Sequence, residues 1–328
     1  FAKATSSNFF KLFGKLNFIL NNVYTNLKIR NTLCVNYSTT ISDECPDDWN
    51  QELTKNKTGN IYNTAEYAQY ANNWLDWSPL YFRIIDKKGI ILLQVILYHY
   101  SPKSKKFPKL FRPLIKKLKS SIRWQYGPMT NSFNSLPYFL DYLKNQKKSF
   151  YGILHPLLET NSINFQKTKW STFLIDLSKS ENELYDNMDK NSAQKNISRA
   201  IKRGVKLEII SKKNLNDYYD LVKHSRISLG LDYGTFEEMS DMWDLLERVG
   251  YSGFIAKLDD IPVGGLGFSF FNNYINEWGV ARSQLDYDKK LYSQDLIKWE
   301  IMKWGVKNKM NWYDLSGVNL NPSNKKEE

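Results

Sequence analysis

The chain of 328 residues carries 46 Lys and Arg against 34 Asp and Glu, a formal net charge of +12, and is 42% hydrophobic. That length favours two domains, and that apolar fraction excludes a disordered or fibrous chain. The longest largely apolar run, Gly89 to Tyr98, has about half the ~20 residues of a membrane-spanning helix, so no span is expected.

Residues 1–42 hold no acid but carry Lys3, Lys11, Lys15, Lys28 and Arg30 among many Ser, Thr and Asn. Such a start is similar to an organellar transit peptide, without its usual Arg richness. Residues 1–47 are therefore expected to form a poorly ordered extension. A first domain is expected over 48–169 and a second over 170–328. The polar end, Asn321-Pro322-Ser323-Asn324, reads as a cut inside a loop.

In the first domain Thr64 is a candidate N-cap, and Tyr67, Tyr70, Ala71 and Trp74 follow at helical spacing, with Pro79 expected to end that helix. Tyr81–Asp86 and Ile90–Tyr98 are β-rich runs around Lys87-Lys88-Gly89, a hairpin signal. Ile122–Tyr126 reads as a strand closed by Gly127-Pro128, Leu136–Lys147 as a helix and Phe150–Leu154 as the strand after it.

The second domain starts near Trp170 with a strand over Phe173–Leu177. Ser178 or Ser180 can cap a helix whose first turn holds Glu181 and Glu183. A helix from about Lys190 to Arg203, a strand over Val205–Ile210 and a helix over Leu215–Leu229 follow. Gly253–Leu258 and Val263–Phe271 make a hairpin through Asp259-Asp260-Ile261-Pro262, and Asn272-Asn273 turns the chain into Tyr274–Val280. Gln294–Lys307 is a helix and Trp312–Leu315 the last strand. Both domains share the order helix, β-hairpin, further strand, helix, strand. The pattern is a duplicated α/β (α+β) unit on mixed, mainly antiparallel sheets flanked by helices.

The charge is concentrated in two places. Between Lys87 and Leu140 no acid occurs, while Lys103, Lys105, Lys106, Lys109, Arg112, Lys116, Lys117, Lys119 and Arg123 interleave with Phe107 and Phe111. This connector suits phosphate backbones or anionic headgroups, or is simply a solvated loop. On the 190–203 helix, Lys195, Arg199 and Arg203 recur one turn apart, able to address successive phosphates, or forming the solvated side of an amphipathic helix.

Other chemistry is sparse. Cys34 and Cys45 are the only cysteines, with no CxxC or Cys/His cluster, so no metal site is expected and a reducing compartment fits. His99, His155 and His224 stand beside no nucleophile motif and read as structural. Gly264-Gly265-Leu266-Gly267 lies inside a strand, where a bulge or tight packing is expected.

Five segments carry a family resemblance. Arg123-Trp-Gln-Tyr-Gly-Pro, Thr172-Phe-Leu-Ile-Asp-Leu-Ser and Asn196-Ile-Ser-Arg-Ala-Ile-Lys-Arg-Gly-Val resemble the FemABX family, as do Gln294-Asp-Leu-Ile-Lys-Trp-Glu-Ile-Met-Lys-Trp-Gly and Tyr313-Asp-Leu-Ser-Gly-Val-Asn. The likeness runs in order from about Asp48 to Asn324. It implies two tandem GNAT-like (acyl-CoA N-acyltransferase-like) domains. It also implies transfer of an amino acid from aminoacyl-tRNA, as co-substrate, to an amine of a lipid- or UDP-linked cell-wall (peptidoglycan-like) precursor. Lys195, Arg199 and Arg203 would then meet substrate phosphate, and Lys105, Lys106, Arg112, Lys116 and Lys117 the tRNA or an anionic surface. A cytoplasmic protein with peripheral contact at the inner membrane face is implied.

The sequence departs from the family in lacking a cation near Tyr70-Ala71, in stopping after the Asn-Pro loop, and in showing only a short helix, Glu237–Arg248, where some relatives carry a long arm. An acyl-CoA enzyme holds pyrophosphate on amides of a Gly-rich loop before a helix. The equivalent stretch here, Asp286-Tyr-Asp-Lys-Lys-Leu-Tyr-Ser-Gln, has no glycine, so acyl-CoA is disfavoured and no other cofactor is expected. Tyr126, Asp286 and Asp314 stand near predicted strand ends and are the candidate catalytic residues; Asp314 can equally cap the turn at Ser316-Gly317. Two other readings stay open: an N-acyltransferase acting on a surface polysaccharide or another amine, and a non-catalytic RNA- or membrane-binding protein with a degenerate transferase fold.

Overall fold

The computed structural model describes residues 37–100, 120–130, 133–146, 148–158 and 171–317. Among these the chain builds two mixed sheets flanked by helices. The first follows the order β1-β2-β3-β4-β6, with β5 beside β3: β1 Ser38–Ser42, β2 Trp77–Ile85, β3 Ile91–Tyr100, β4 Ser121–Trp124, β5 Met129–Thr130 and β6 Ser149–Gly152. Helices α1 (Trp49–Thr54), α2 (Ala65–Trp74) and α3 (Leu136–Asn145) accompany it. The second sheet runs β7-β12-β11-β10-β9-β8. Its strands are β7 Leu174–Asp176, β8 Lys206–Ile209, β9 Tyr251–Leu258, β10 Ile261–Phe271, β11 Tyr274–Arg282 and β12 Trp312–Asp314. Its helices are α4 (Glu181–Asp186), α5 (Ala193–Lys202), α6 (Leu215–Ser228), α7 (Phe236–Leu246), α8 (Gln284–Asp288) and α9 (Ser293–Lys307).

Local chemistry sets the element ends. Thr64 Oγ1 accepts the Tyr67 N–H at 3.2 Å to start α2, and Ser180 forms a reciprocal capping box with Glu183 at α4. Asp86 Oδ1 accepts the N–H groups of Lys88 and Ile90 at 2.8 and 2.9 Å and shapes the β2–β3 hairpin. The β9–β10 turn is tighter than the sequence suggests. Asp259 and Asp260 (φ 48° and 65°) make a two-residue turn, and Ile261-Pro262 already belongs to β10.

Two expectations need correction. Pro79 does not end α2, which stops at Trp74; it lies inside β2. There β2 has β3 on one side and, among the described residues, no strand on the other, because β1 reaches only Tyr81 to Ile85, and such an open edge tolerates a residue without an N–H. Ser38–Ser42, inside the extension expected to be poorly ordered, is an edge strand antiparallel to β2. The basic connector with Lys105, Lys106, Arg112, Lys116 and Lys117 lies outside the described residues.

The two units trace the same path. In each a hairpin (β2–β3, β9–β10) is followed by an antiparallel strand (β4, β11), a helix (α3, α9) and a strand parallel to the last one (β6, β12). One core lies under α3, around Phe82, Val95, Leu97 and Phe139, and another under α9, around Ile197, Phe268, Ile297 and Ile301. The central core is shared: Trp49, Tyr67 and Tyr98 of the first unit form one cluster with Tyr218, Trp243 and Tyr251 of the second. Helices α2 and α7 seal it with Tyr70 Oη donating to Glu238 Oε1 (3.1 Å) and Trp74 Nε1 to Asp241 Oδ2 (2.6 Å). No helix among the described residues is long and apolar enough to cross a membrane.

The turn into β9 depends on Gly250, at φ 121°, where an added Cβ would lie 1.9 Å from the Phe270 carbonyl oxygen. Gly250→Ala should lower stability by about 2–3 kcal/mol, read as a lower urea midpoint at unchanged m-value. An unaltered midpoint would show that this turn yields without strain.

Candidate active site

The parallel pairing of β11 with β12 is short. It joins Tyr274 to Trp312, Ile275 to Tyr313 and Asn276 to Asp314, after which β11 runs on to Arg282 without that partner. The strands part at Asn276 and Asp314, and their side chains alternate between two faces. One face meets the first unit; the other meets α9. Polar groups gather on both sides of this fork.

On the first face Asp314 is wholly buried. Its Oδ1 accepts the Ser316 N–H at 2.8 Å and the Thr172 hydroxyl; its Oδ2 accepts the Tyr274 hydroxyl at 2.5 Å and Asn276 Nδ2 at 3.1 Å. The turn-capping role expected for Asp314 is therefore present, as one of four bonds. Asn276 Nδ2 also reaches Tyr126 Oη (3.2 Å) and Ser316 Oγ (2.7 Å), while its Oδ1 accepts from Tyr62 Oη (2.9 Å). Tyr62 stacks on Tyr126 with ring centroids 5.0 Å apart. Tyr126 has φ 48°, and its carbonyl accepts from Asn60 Nδ2 at 2.6 Å. The fork thus takes Tyr62 and Tyr126 from the first unit and Tyr274, Asn276 and Asp314 from the second.

Burial, reinforced by the nearby Asp314 charge, drives the Tyr126 and Tyr274 phenols well above their ordinary range. Both keep their protons through neutral pH and serve as hydrogen-bond donors or acceptors, not as bases. Asp314 is saturated by donors, which makes it an anchor for the surrounding dipoles.

On the second face Glu277 is buried and pairs with Lys298 of α9 at 2.9 Å, and Tyr313 Oη donates to Glu277 Oε1 at 2.6 Å. Burial raises the Glu277 carboxyl pKa, against the pull of Lys298 and of the Tyr313 hydroxyl. Ser316 Oγ donates to the Glu277 carbonyl at 3.0 Å and ties the two faces together.

The other expected residues lie at the far end of β11. Asp286 is wholly buried; Oδ2 takes Arg282 Nε at 2.5 Å and Oδ1 takes the Ser293 N–H, the first of α9, at 3.0 Å. Asp286 is engaged at a helix start, six residues of strand, or roughly 20 Å, beyond Asn276. Arg199 and Arg203 lie beside it. Their guanidinium carbons stand 5.6 and 5.4 Å from the Tyr292 ring, Arg199 bonds Tyr292 Oη at 3.3 Å, and Arg203 bonds the Lys290 carbonyl. Lys195 is exposed one turn earlier on α5. The structure brings Tyr126 and Asp314 together, and Arg199, Arg203 and Asp286 together, as two separate groups.

Sequence reading missed Tyr62, Tyr274, Asn276, Glu277 and Lys298. A signal existed in β11, where Asn276-Glu277 places polar side chains on both faces of a central strand. Nothing local marks Tyr62, which reaches the fork through the chain fold alone. Among the described residues no group of His, Cys, Asp and Glu could hold a metal.

Lys298→Met leaves Glu277 buried without its cation and should destabilise the fold by about 2–3 kcal/mol at neutral pH. A raised folded-state pKa means the folded protein binds the Glu277 proton where the unfolded chain does not, so stability falls as pH rises through that window. Without Lys298 that pKa rises further. The deficit of the variant should therefore shrink as pH drops from 7 towards 5, followed by chemical denaturation; a pH-independent deficit would mean Glu277 is not the group left uncompensated.

No family model matches the sequence, and no curated protein is significantly similar to it. Solved structures do share its fold. The crystal structure of FemX overlays with a TM-score of 0.64 at 13% identity, over 87% of this chain and 90% of that one. A conserved protein of unknown function from Bacteroides thetaiotaomicron gives 0.53 at 11% identity, over 86% and 91%. The structure of L-PGS from Bacillus licheniformis reaches only 0.47 at 11% identity, over 86% and 78%, and does not count towards the fold. The chain has the FemABX-like fold, a tandem of GNAT-like domains.

Proposed function

We propose that the protein is an aminoacyltransferase that moves an amino acid from aminoacyl-tRNA to an amine of a lipid- or UDP-linked, peptidoglycan-like precursor. The fold shared with FemX supports transferase chemistry in general. The observation that carries the choice of donor is Asp286. In an acyl-CoA enzyme the N-terminus of the corresponding helix holds pyrophosphate on its free amides. Here the Asp286 carboxylate already accepts the first N–H of α9 and is itself paired with Arg282, so that position carries an internal anion.

Separation of the two polar groups supports a long acceptor. Arg199 and Arg203, with Lys195 one turn before, can hold phosphate, while the fork lies roughly 20 Å away along β11. A precursor whose phosphates are separated from its reacting amine by sugar and peptide spans such a distance. The net charge of +12 attracts both polyanionic substrates.

The chemistry is aminolysis of an activated ester. The amine nitrogen bonds to the ester carbonyl carbon, the bond from that carbon to the ribose oxygen breaks, and the amine proton ends on the ribose hydroxyl. The phenols of Tyr126 and Tyr274 stay protonated and are held by Asn276 and Asp314, so they form fixed walls that position the ester and need no reorganisation during the step.

The full-length protein should add the mass of one amino acid to a precursor amine when given charged tRNA. Acetyl transfer from acetyl-CoA with no use of charged tRNA would overturn the proposal, and binding of charged tRNA without any mass added would favour a non-catalytic role. Arg199→Ala with Arg203→Ala should raise KM for the phosphate-bearing precursor about 10- to 100-fold, with kcat nearly unchanged and wild-type affinity weakening as salt rises. An equal loss in kcat would instead place these arginines at the reacting centre.

A further inference from the structure

His155 belongs to the segment after β6 and is 1% exposed. Its imidazole packs on both phenols of the fork, with centroids 4.7 Å from Tyr274 and 6.0 Å from Tyr126. Nδ1 accepts the Leu157 N–H at 3.1 Å, so in the neutral ring the proton sits on Nε2. Burial lowers the imidazole pKa to about 4, which keeps the ring neutral at working pH. Nε2 has no hydrogen-bond partner, although it is buried. A buried N–H left unpaired costs free energy, and native structures rarely keep one unless it has a use. Among the described side chains that pack on Tyr126 and Tyr274 at the fork, this one holds an unused buried donor.

We propose that His155 is a catalytic hydrogen-bond donor, its Nε2–H bonding the carbonyl oxygen of the ester as the amine attacks. This rests on the aminoacyltransferase reading above. As the amine nitrogen bonds to the carbonyl carbon, the carbonyl π pair moves onto oxygen, and that oxyanion accepts the Nε2–H bond. When the intermediate collapses the pair returns, the bond to the ribose oxygen breaks, and the amine proton passes to that oxygen. His155 keeps its own proton throughout, which a neutral ring with a strongly lowered basicity favours. Tyr126 and Tyr274 fix the ring plane by packing, and Leu157 fixes its tautomer.

Two substitutions separate donation from packing. His155→Phe keeps a flat ring against Tyr274 and Tyr126 but has no donor; His155→Gln loses the ring but places an amide N–H near the Nε2 position. Donation requires kcat for transfer from charged tRNA to fall about 100- to 1000-fold in His155→Phe. His155→Gln should then recover at least about 10-fold of that, with KM within about threefold in both variants. Equal losses in the two, or a phenylalanine variant as active as the glutamine one, overturn the role and leave His155 a packing residue. Folding of the variants does not limit the test. In the wild-type protein the His155 ring Nε2–H resonance should move downfield on adding an amide-linked, non-hydrolysable aminoacyl-tRNA analogue, and an unmoved resonance in the bound complex overturns the role. Absence of transfer by the wild-type protein removes the aminoacyltransferase reading and this role together, whereas wild-type transfer with His155→Phe unimpaired removes this role alone.

Discussion

A carboxylate removed from water has to be surrounded by donors, and Asp314 draws them from three stretches of chain: Thr172 before β7, Tyr274 and Asn276 of β11, and Ser316 just after β12. Because Asn276 is shared with Tyr62 and Tyr126, meeting the demand of this one buried charge also fixes how the first unit abuts the second. The parting of β11 from β12 is held at a defined residue for the same reason. The donors share acceptors, Asn276 bonding Asp314, Tyr126 and Ser316 at once, so the fork is connected as a unit.

A second buried carboxylate, Asp286, organises the opposite end of the same strand. It completes the start of α9 and holds Arg282, whose guanidinium lies 3.8 Å from the Tyr287 ring. Through Tyr292, immediately before α9, this end carries Arg199 and Arg203. The strand therefore separates a cationic end from a donor-rich end by roughly 20 Å. Glu277 and Lys298 lock the helix to the strand between them.

Much of the fold was legible in the sequence because it is written in local signals. Thr64, Ser180, Asp86 and the Asp259-Asp260 and Asn272-Asn273 pairs announce their caps and turns directly. The duplicated order of elements was legible for the same reason. Pro79 misled because proline's penalty depends on whether a neighbouring strand needs its N–H, which is a property of the sheet edge. Of the site, Asp314 and Tyr126 could be found from their places at strand ends, and their meeting through Asn276 is seen in the fold. Asp286 looked similar in sequence but is consumed by a helix start. Tyr62 and His155 carry no pattern of their own, since their contacts with the fork come from a junction between residues far apart in the chain.

The central core has a mechanical consequence. Tyr218, Trp243 and Tyr251 of one unit and Trp49, Tyr67 and Tyr98 of the other belong to one buried cluster, joined where Tyr62 and Tyr67 pack on Trp278. Separating the units would expose this aromatic cluster to water, at a cost of roughly 1.5–3 kcal/mol for each large side chain uncovered. The duplication has ended in two units that share one aromatic core instead of keeping one each.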